Sequence, residues 1–343
     1  MILTPLSLTL IKISAVNDNG RCPGLTFVYT SVTSGQRRRG FWKPDISIYN
    51  EGDVPLLRRT ASKKYPGVFH TSANLGLAES FWEVKPNGCD PFCDDHGDEK
   101  HFFEWENYTK DSDVGKQKKK ALGQAVSYAG EACARQHRIF YISILIIGTK
   151  ARLFRWDRAG TIVTRAFDYR QNPRPLCQYL WRFSHADMVE RGFDSTVTVA
   201  IESEIRLFES TVAQQVAFQK EYGPDDREEL AEAIGNHYQE NRVTKITVRD
   251  SSGSVAGEYL VSVPVRSPLS TSGRSGRGFW STKIEEKEGN LEGEAGFLKD
   301  VWRIDLPGLM PEGSILTDMA GKVPNIPEVD CSGDCTVRPN CYR

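Results

Sequence analysis

Phe81-Trp82-Glu83-Val84-Lys85, closed by Pro86-Asn87-Gly88, is the stretch on which the fold of this chain turns. Aromatic and β-branched residues favour a pleated strand, and the Pro-Asn-Gly triplet stops it. Side chains alternate across a strand, so Glu83 and Lys85 share one face. Upstream, Asp45-Ile46-Ser47-Ile48-Tyr49 alternates with an apolar side and is turned by Glu51-Gly52-Asp53. If the two strands pair, Asp45 reaches the face that carries Glu83 and Lys85. Downstream comes a polar, acidic loop from Cys89 to Asp113. Lys116 to Gln136 then reads as a helix, with Leu122, Ala125, Val126, Ala129 and Ala132 or Cys133 at helical spacing. Phe140 to Ile147 reads as a buried strand, and Gly148-Thr149 turns it into Ala151 to Trp156. The order strand, strand, helix, strand, strand predicts an α/β (α+β) domain over residues 1–200, built on a mixed sheet with a helix after the Glu-x-Lys strand.

Two carboxylates on one strand face can chelate a hard divalent cation such as Mg²⁺. A lysine beside them can orient water or offset charge at phosphorus. In the following helix Gln124 and Tyr128 stand four residues apart, hence on one face. The Asp45, Glu83-x-Lys85 and Gln124-x-x-x-Tyr128 set resembles the restriction-endonuclease-like nuclease fold. That resemblance implies Asp45 and Glu83 as metal ligands, with Lys85, Gln124 and Tyr128 completing a catalytic site. Arg37, Arg38 and Arg39, with Lys116, Lys118, Lys119 and Lys120, offer basic groups to a nucleic-acid backbone. The bland alternative stands beside it. Glu-x-Lys occurs on many exposed strands, Gln124 and Tyr128 also suit a helix surface, and the lysines suit a solvated helix end or a nuclear-import signal.

Bulk properties bound these readings without choosing among them. The chain of 343 residues is long enough for two cores, and 39% hydrophobic, 26% charged and a net charge of −1 argue against a wholesale polyanion binder, though not against a local basic face. Eight cysteines are too sparse for a disulfide-stapled secreted domain. Lys12 interrupts the apolar run Leu6 to Ile13, and the run Ile139 to Ile147 is far short of a membrane span. The expectation is a cytoplasmic or nuclear protein without a membrane partner. Cys89, Cys93, His96 and His101 have a spacing that could seed a zinc site, but an acidic surface loop explains them as well. Cys331, Cys335 and Cys341 cluster in the same way, and unpaired cysteines in a frayed tail are the expectation there. Trp181 and His185 lie at helical spacing and are expected to pack or cap a helix.

Residues 201–241 read as a charged helical connector, with Glu202 to Tyr222 broken at Gly223-Pro224 and a second helix from Asp226 to Gln239. Residues 242–343 are hairpin-rich. Lys245 to Val248 turns through Asp250-Ser251-Ser252-Gly253 into Tyr259 to Val263. Next come the glycine-rich turn Gly273-Arg274-Ser275-Gly276-Arg277-Gly278, a strand from Phe279, and Gly296-Phe297-Leu298-Lys299-Asp300. Protein kinases place such a hairpin over ATP phosphates, with a lysine on the third strand. No His-Arg-Asp or Asp-Phe-Gly follows Lys299 in the remaining 44 residues.

Several stretches together carry a family resemblance: Phe41 to Asp45, Gly123 to Tyr128, Arg135-Gln136-His137-Arg138, Ala151 to Gly160, Tyr179 to His185, and Phe297 to Arg303. On these the chain is similar to the fungal-type protein kinases. The resemblance implies an N-terminal α/β region joined to a kinase-like domain. In it Gly273, Gly276 and Gly278 cover the phosphates and Lys299 contacts them. Glu312 is the acidic candidate for the lysine's helix partner, although the register leaves Ser314 open. The expectation is a chain truncated after the kinase N-lobe and inactive as a kinase, binding ATP weakly or not at all. A Mg²⁺-dependent nuclease and a non-catalytic module for nucleic-acid or protein partners are the alternatives.

Overall fold

The two strands on whose pairing the Asp45–Glu83 reading depends do pair. In the computed structural model, which describes residues 20–30, 43–57, 59–61, 69–93, 112–223, 226–238, 242–266, 268, 270–273, 276–287, 289–302 and 308–333, they sit in a nine-stranded mixed sheet. Its first strands are β1 (Leu25–Tyr29), β2 (Ile46–Asn50), β3 (Arg59–Ala61), β4 (Phe69–Thr71) and β5 (Ala78–Lys85). Helix α1 (Asp113–Arg135) follows, then β6 (Phe140–Ile147), β7 (Lys150–Asp157), β8 (Thr161–Val163), β9 (Phe167–Asp168) and helix α2 (Arg174–His185). The sheet order is β3-β4-β1-β2-β5-β6-β7-β8, with β9 also on β7. Strands β5 and β6 run parallel, so α1 is their crossover.

Each face of the sheet has its own helix. On one face Ala125, Tyr128, Ala129, Ala132 and Cys133 of α1 pack on Phe81, Tyr141, Leu145 and Phe154. On the other, Leu176, Leu180 and Phe183 of α2 pack on Ile46, Ile48, Trp82, Ile144 and Ile146. Covering both faces explains why β6 is an unbroken apolar run, Phe140 to Ile147. Burying each of Leu176, Leu180 and Phe183 stabilises by about 1.5–3 kcal/mol. Helix α1 starts at Ser112, whose hydroxyl accepts the Gly115 N–H at 3.1 Å.

A buried polar network ties the end of α1 to the sheet. Gln136 donates to the carbonyls of Leu75 at 2.6 Å and Ala78 at 2.9 Å, and its own carbonyl oxygen accepts from Arg138 at 2.6 Å. Arg138 also donates to Glu79 at 2.7 Å and to the Arg191 carbonyl, and its guanidinium lies 3.6 Å from the Phe193 ring centroid. Arg152 forms a bidentate pair with Asp90 and donates to the Thr164 carbonyl. Arg135 to Arg138 and Ala151 to Gly160 therefore serve architecture, with buried charges paired and hydrogen-bonded.

The chain forms two compact units: residues 1–193 with 269–273, and residues 194–268 with 274–343. The second contains β10 (Val197–Val199), α3 (Glu202–Tyr222), α4 (Arg227–Asn236), β11 (Thr244–Arg249), β12 (Val255–Val261), β13 (Arg277–Lys287), β14 (Asn290–Asp300) and α5 (Glu312–Met319). Its strands form one antiparallel sheet in chain order. The helical stretch 201–241 belongs to this unit: Ile205, Leu207, Phe208 and Val212 of α3 pack with Leu260 and Ile284. Lys245 of β11 pairs with Glu204 of α3 at 2.8 Å. On the opposite face Ile246, Val261 and Phe279 form a small second cluster.

Candidate metal site and candidate nucleotide site

The register Ile46↔Trp82 between β2 and β5 brings Asp45 opposite Glu83. Asp45 is fixed by its backbone as well as its carboxylate. Its carbonyl accepts the Thr30 N–H at 3.1 Å, and the Thr30 hydroxyl donates to the Pro44 carbonyl at 2.6 Å while meeting Ser47 Oγ at 3.0 Å. Asp45 Oδ2 accepts the Val84 N–H at 2.8 Å. Lys85 donates to Glu83 Oε1, and Glu83 is only 1% exposed. Above them Gln124 Nε2 donates to the Tyr128 hydroxyl at 3.4 Å, and the Tyr128 ring meets Phe81 edge-on at 5.4 Å. The five residues named from the sequence thus lie together under α1. Thr30 and Ser47, which hold the entry to β2, carried no sequence signal.

Electrostatics describe a site short of positive charge. Burial, reinforced by the Asp45 charge, pushes the Glu83 carboxyl up to about 7, against the opposing pull of Lys85. Burial pushes Asp45 up to about 6, with the Val84 amide and Lys85 acting the other way. Burial and then the Glu83 charge raise the Tyr128 hydroxyl as well. Glu83 Oε2 and Gln124 Oε1 are buried and accept no hydrogen bond from the described residues. Two near-opposed carboxylates with one lysine hold an excess negative charge once all are ionised, and the interior opposes that unless a proton or cation joins them. The residues suit Mg²⁺, which binds through one or two carboxylates and keeps several waters. Among the described residues no group of three or more His, Cys, Asp or Glu gathers.

The other expectations divide. Lys116, Lys119 and Lys120 are exposed and Lys118 is half-buried on the first turns of α1, whereas Arg37, Arg38 and Arg39 lie outside the described residues. Cys89 is buried and its thiol donates to Gln117 at 3.3 Å; His96, His101, Cys335 and Cys341 also lie outside them. Trp181 and His185 stack on α2 at 4.4 Å.

In the second unit Lys299, next to last on β14, pairs across the sheet with Gly278 of β13. Its ammonium forms an ion pair with Glu312, the first residue of α5. The Lys299 and Glu312 side chains are 53% and 36% exposed. A pair that open contributes at most about 1 kcal/mol to stability, so bracing the fold does not explain it. Gly278 and Gly276 serve close packing: a Cβ at Gly278 would come within 2.5 Å of the Phe297 ring, and one at Gly276 within 3.1 Å of Val301. Gly273 has φ +86° and belongs to the first unit, where its N–H donates to the Arg158 carbonyl at 3.1 Å.

Among known families, the model of the fungal protein kinases matches residues 98–339, more than two thirds of the chain. The match includes Gln124, Tyr128, Lys299 and Glu312 and begins downstream of Asp45, Glu83 and Lys85. No curated protein and no solved structure gives a significant match. Consecutive antiparallel β12, β13 and β14, with a lysine next to last on β14 and a glutamate opening the next helix, agree with that assignment. The chain belongs to the fungal protein kinase family.

Proposed function

We propose that the second unit binds the phosphates of ATP in the manner of a kinase N-terminal lobe. The Lys299–Glu312 ion pair carries this reading. A carboxylate that holds an ammonium near the end of β14 occupies one of its three donors, and the others suit an anionic ligand. The residues in hand supply nucleotide contacts; no His-Arg-Asp or Asp-Phe-Gly accompanies them, so transfer by these residues alone is not part of the proposal. The test is thermal stabilisation by ATP–Mg²⁺. Wild type is expected to gain stability that Lys299→Ala loses, and equal gains in both would refute the reading.

A second reading belongs to the first unit, favoured by the orphaned Glu83 Oε2 beside Asp45. Asp45 and Glu83 would hold a divalent cation, which when bound supplies Lewis acidity at a phosphoryl oxygen. Lys85 would offset charge on the phosphorus, Gln124 and Tyr128 would orient the ester, and Lys116 to Lys120 would engage the backbone of a nucleic acid. The expected outcome is Mg²⁺-dependent cleavage of DNA or RNA by wild type and at least a hundredfold less (~10² or more) by Lys85→Ala, the usual scale for a lost charge-stabilising group. Metal binding without cleavage would identify a non-catalytic module instead.

A further inference from the structure

Helix α5 carries Glu312 yet buries none of its own side chains. A short helix whose apolar Leu316 and Met319 are only half-buried has little to hold it on a sheet. Among the described residues two contacts of its first turn stand out, the exposed ion pair being the weaker. One is the Lys299–Glu312 ion pair. The other is a close approach of its first turn to Ser332, since a Cβ at Gly313 would come within 2.2 Å of Ser332 Cβ and 2.3 Å of its hydroxyl.

Ser332 is itself held by its neighbours. Asp330 accepts hydrogen bonds from the Tyr259 hydroxyl and from Lys283 at 2.9 Å. Tyr259 and Lys283 face one another across β12 and β13, so Asp330 straddles two strands. Their donors, the Tyr259 hydroxyl first, hold the Asp330 carboxyl below the ordinary carboxylate range. The Cys331 sulfur lies 3.0 Å from the same hydroxyl. At Gly333 the chain comes so near β11 that a Cβ would stand 1.7 Å from the Arg249 carbonyl oxygen. Residues 330–333 therefore cross β11, β12 and β13 and meet the first turn of α5.

We propose that residues 330–333 form a clamp that positions α5, with Asp330 as its anchor and the Ser332–Gly313 contact as its grip, so that Glu312 reaches Lys299. The clamp acts through Glu312 and touches no nucleotide, which makes Asp330 and Ser332 positioning residues. This rests on the nucleotide-binding reading of Lys299 for its functional consequence, but not for its structural one.

Gly313→Ala separates the two. Helix propensity alone makes alanine the better residue and slows amide exchange across α5. The clamp requires the opposite, because the new methyl drives α5 from Ser332. Hydrogen exchange of residues 312–319 is expected to quicken about tenfold in Gly313→Ala and in Asp330→Ala, and to return to the wild-type rate in Gly313→Ala/Ser332→Gly. The ATP–Mg²⁺ Kd rises by the inverse of the fraction of molecules that keep α5 docked, roughly five- to tenfold where only about one in five to one in ten does so. Slower exchange in Gly313→Ala, or no recovery in the double variant, would overturn the clamp. Quickened exchange in both variants, with a wild type that binds no ATP–Mg²⁺, would leave the clamp standing and remove the nucleotide reading alone.

Discussion

Glu83 is the residue at which structure adds most to sequence. Its carboxyl, raised from 4.5 to about 7, holds its proton in the folded chain at a pH where the unfolded chain has released it. Its contribution is therefore full below about pH 4.5 and is lost as pH rises through about 7, a difference on the order of 3 kcal/mol. Asp45, raised to about 6, acts in the same direction over a lower window. Glu83→Gln is expected to be more stable than wild type at pH 8 and nearly equal to it at pH 4.5, read from urea midpoints across that range. A divalent cation should stabilise wild type more at pH 8 than at pH 6, and should do little for Glu83→Gln. The facing of Asp45, Glu83 and Lys85 was legible from strand alternation. The orphaned Glu83 oxygen was not, because it depends on what α1 lays over the sheet.

Helix α1 makes that site possible by being narrow where it meets the sheet. Ala121, Ala125, Ala129 and Ala132 are all buried, which lets the helix approach closely enough for Gln124 and Tyr128 to stand over the two carboxylates. Ala129→Leu would overpack this contact and cost about 1–3 kcal/mol. Its urea midpoint should fall, and its stabilisation by Mg²⁺ at pH 8 should shrink in step as Tyr128 lifts from Glu83. Helix α1 was readable from residue spacing, and so was α3, because each carries an apolar stripe at helical spacing over more than one turn. Strands β3, β4 and β10 have three residues each and offer no period to detect. Helix α2 begins at Arg174-Pro175 without a capping side chain, so only the Trp181–His185 spacing betrayed it. The expected connector, residues 201–241, is part of the second unit because its apolar stripe has a partner in Leu260 and Ile284, a contact between distant residues that local pattern does not carry.

At the scale of the whole molecule, each unit has its own core and its own candidate ligand. Calorimetry is expected to resolve two transitions, one raised by Mn²⁺ or Mg²⁺ alone and one raised further by the nucleotide. Each shift approaches about 2.7 kcal/mol when the ligand stands at a hundred times its Kd. Lys299→Ala should abolish the nucleotide shift and spare the metal shift, and Glu83→Gln should do the reverse. A single transition responding to both ligands would contradict this division. The chain also leaves the first unit at Phe193, builds 194–268 in the second, and returns with 269–273, where Thr271 lies 3.9 Å from the Cβ position of Gly130 in α1 and Gly273 bonds Arg158. During synthesis on the ribosome, then, the first unit waits for residues made long after its last strand, and an expression boundary drawn at residue 193 would cut away part of the body it was meant to isolate.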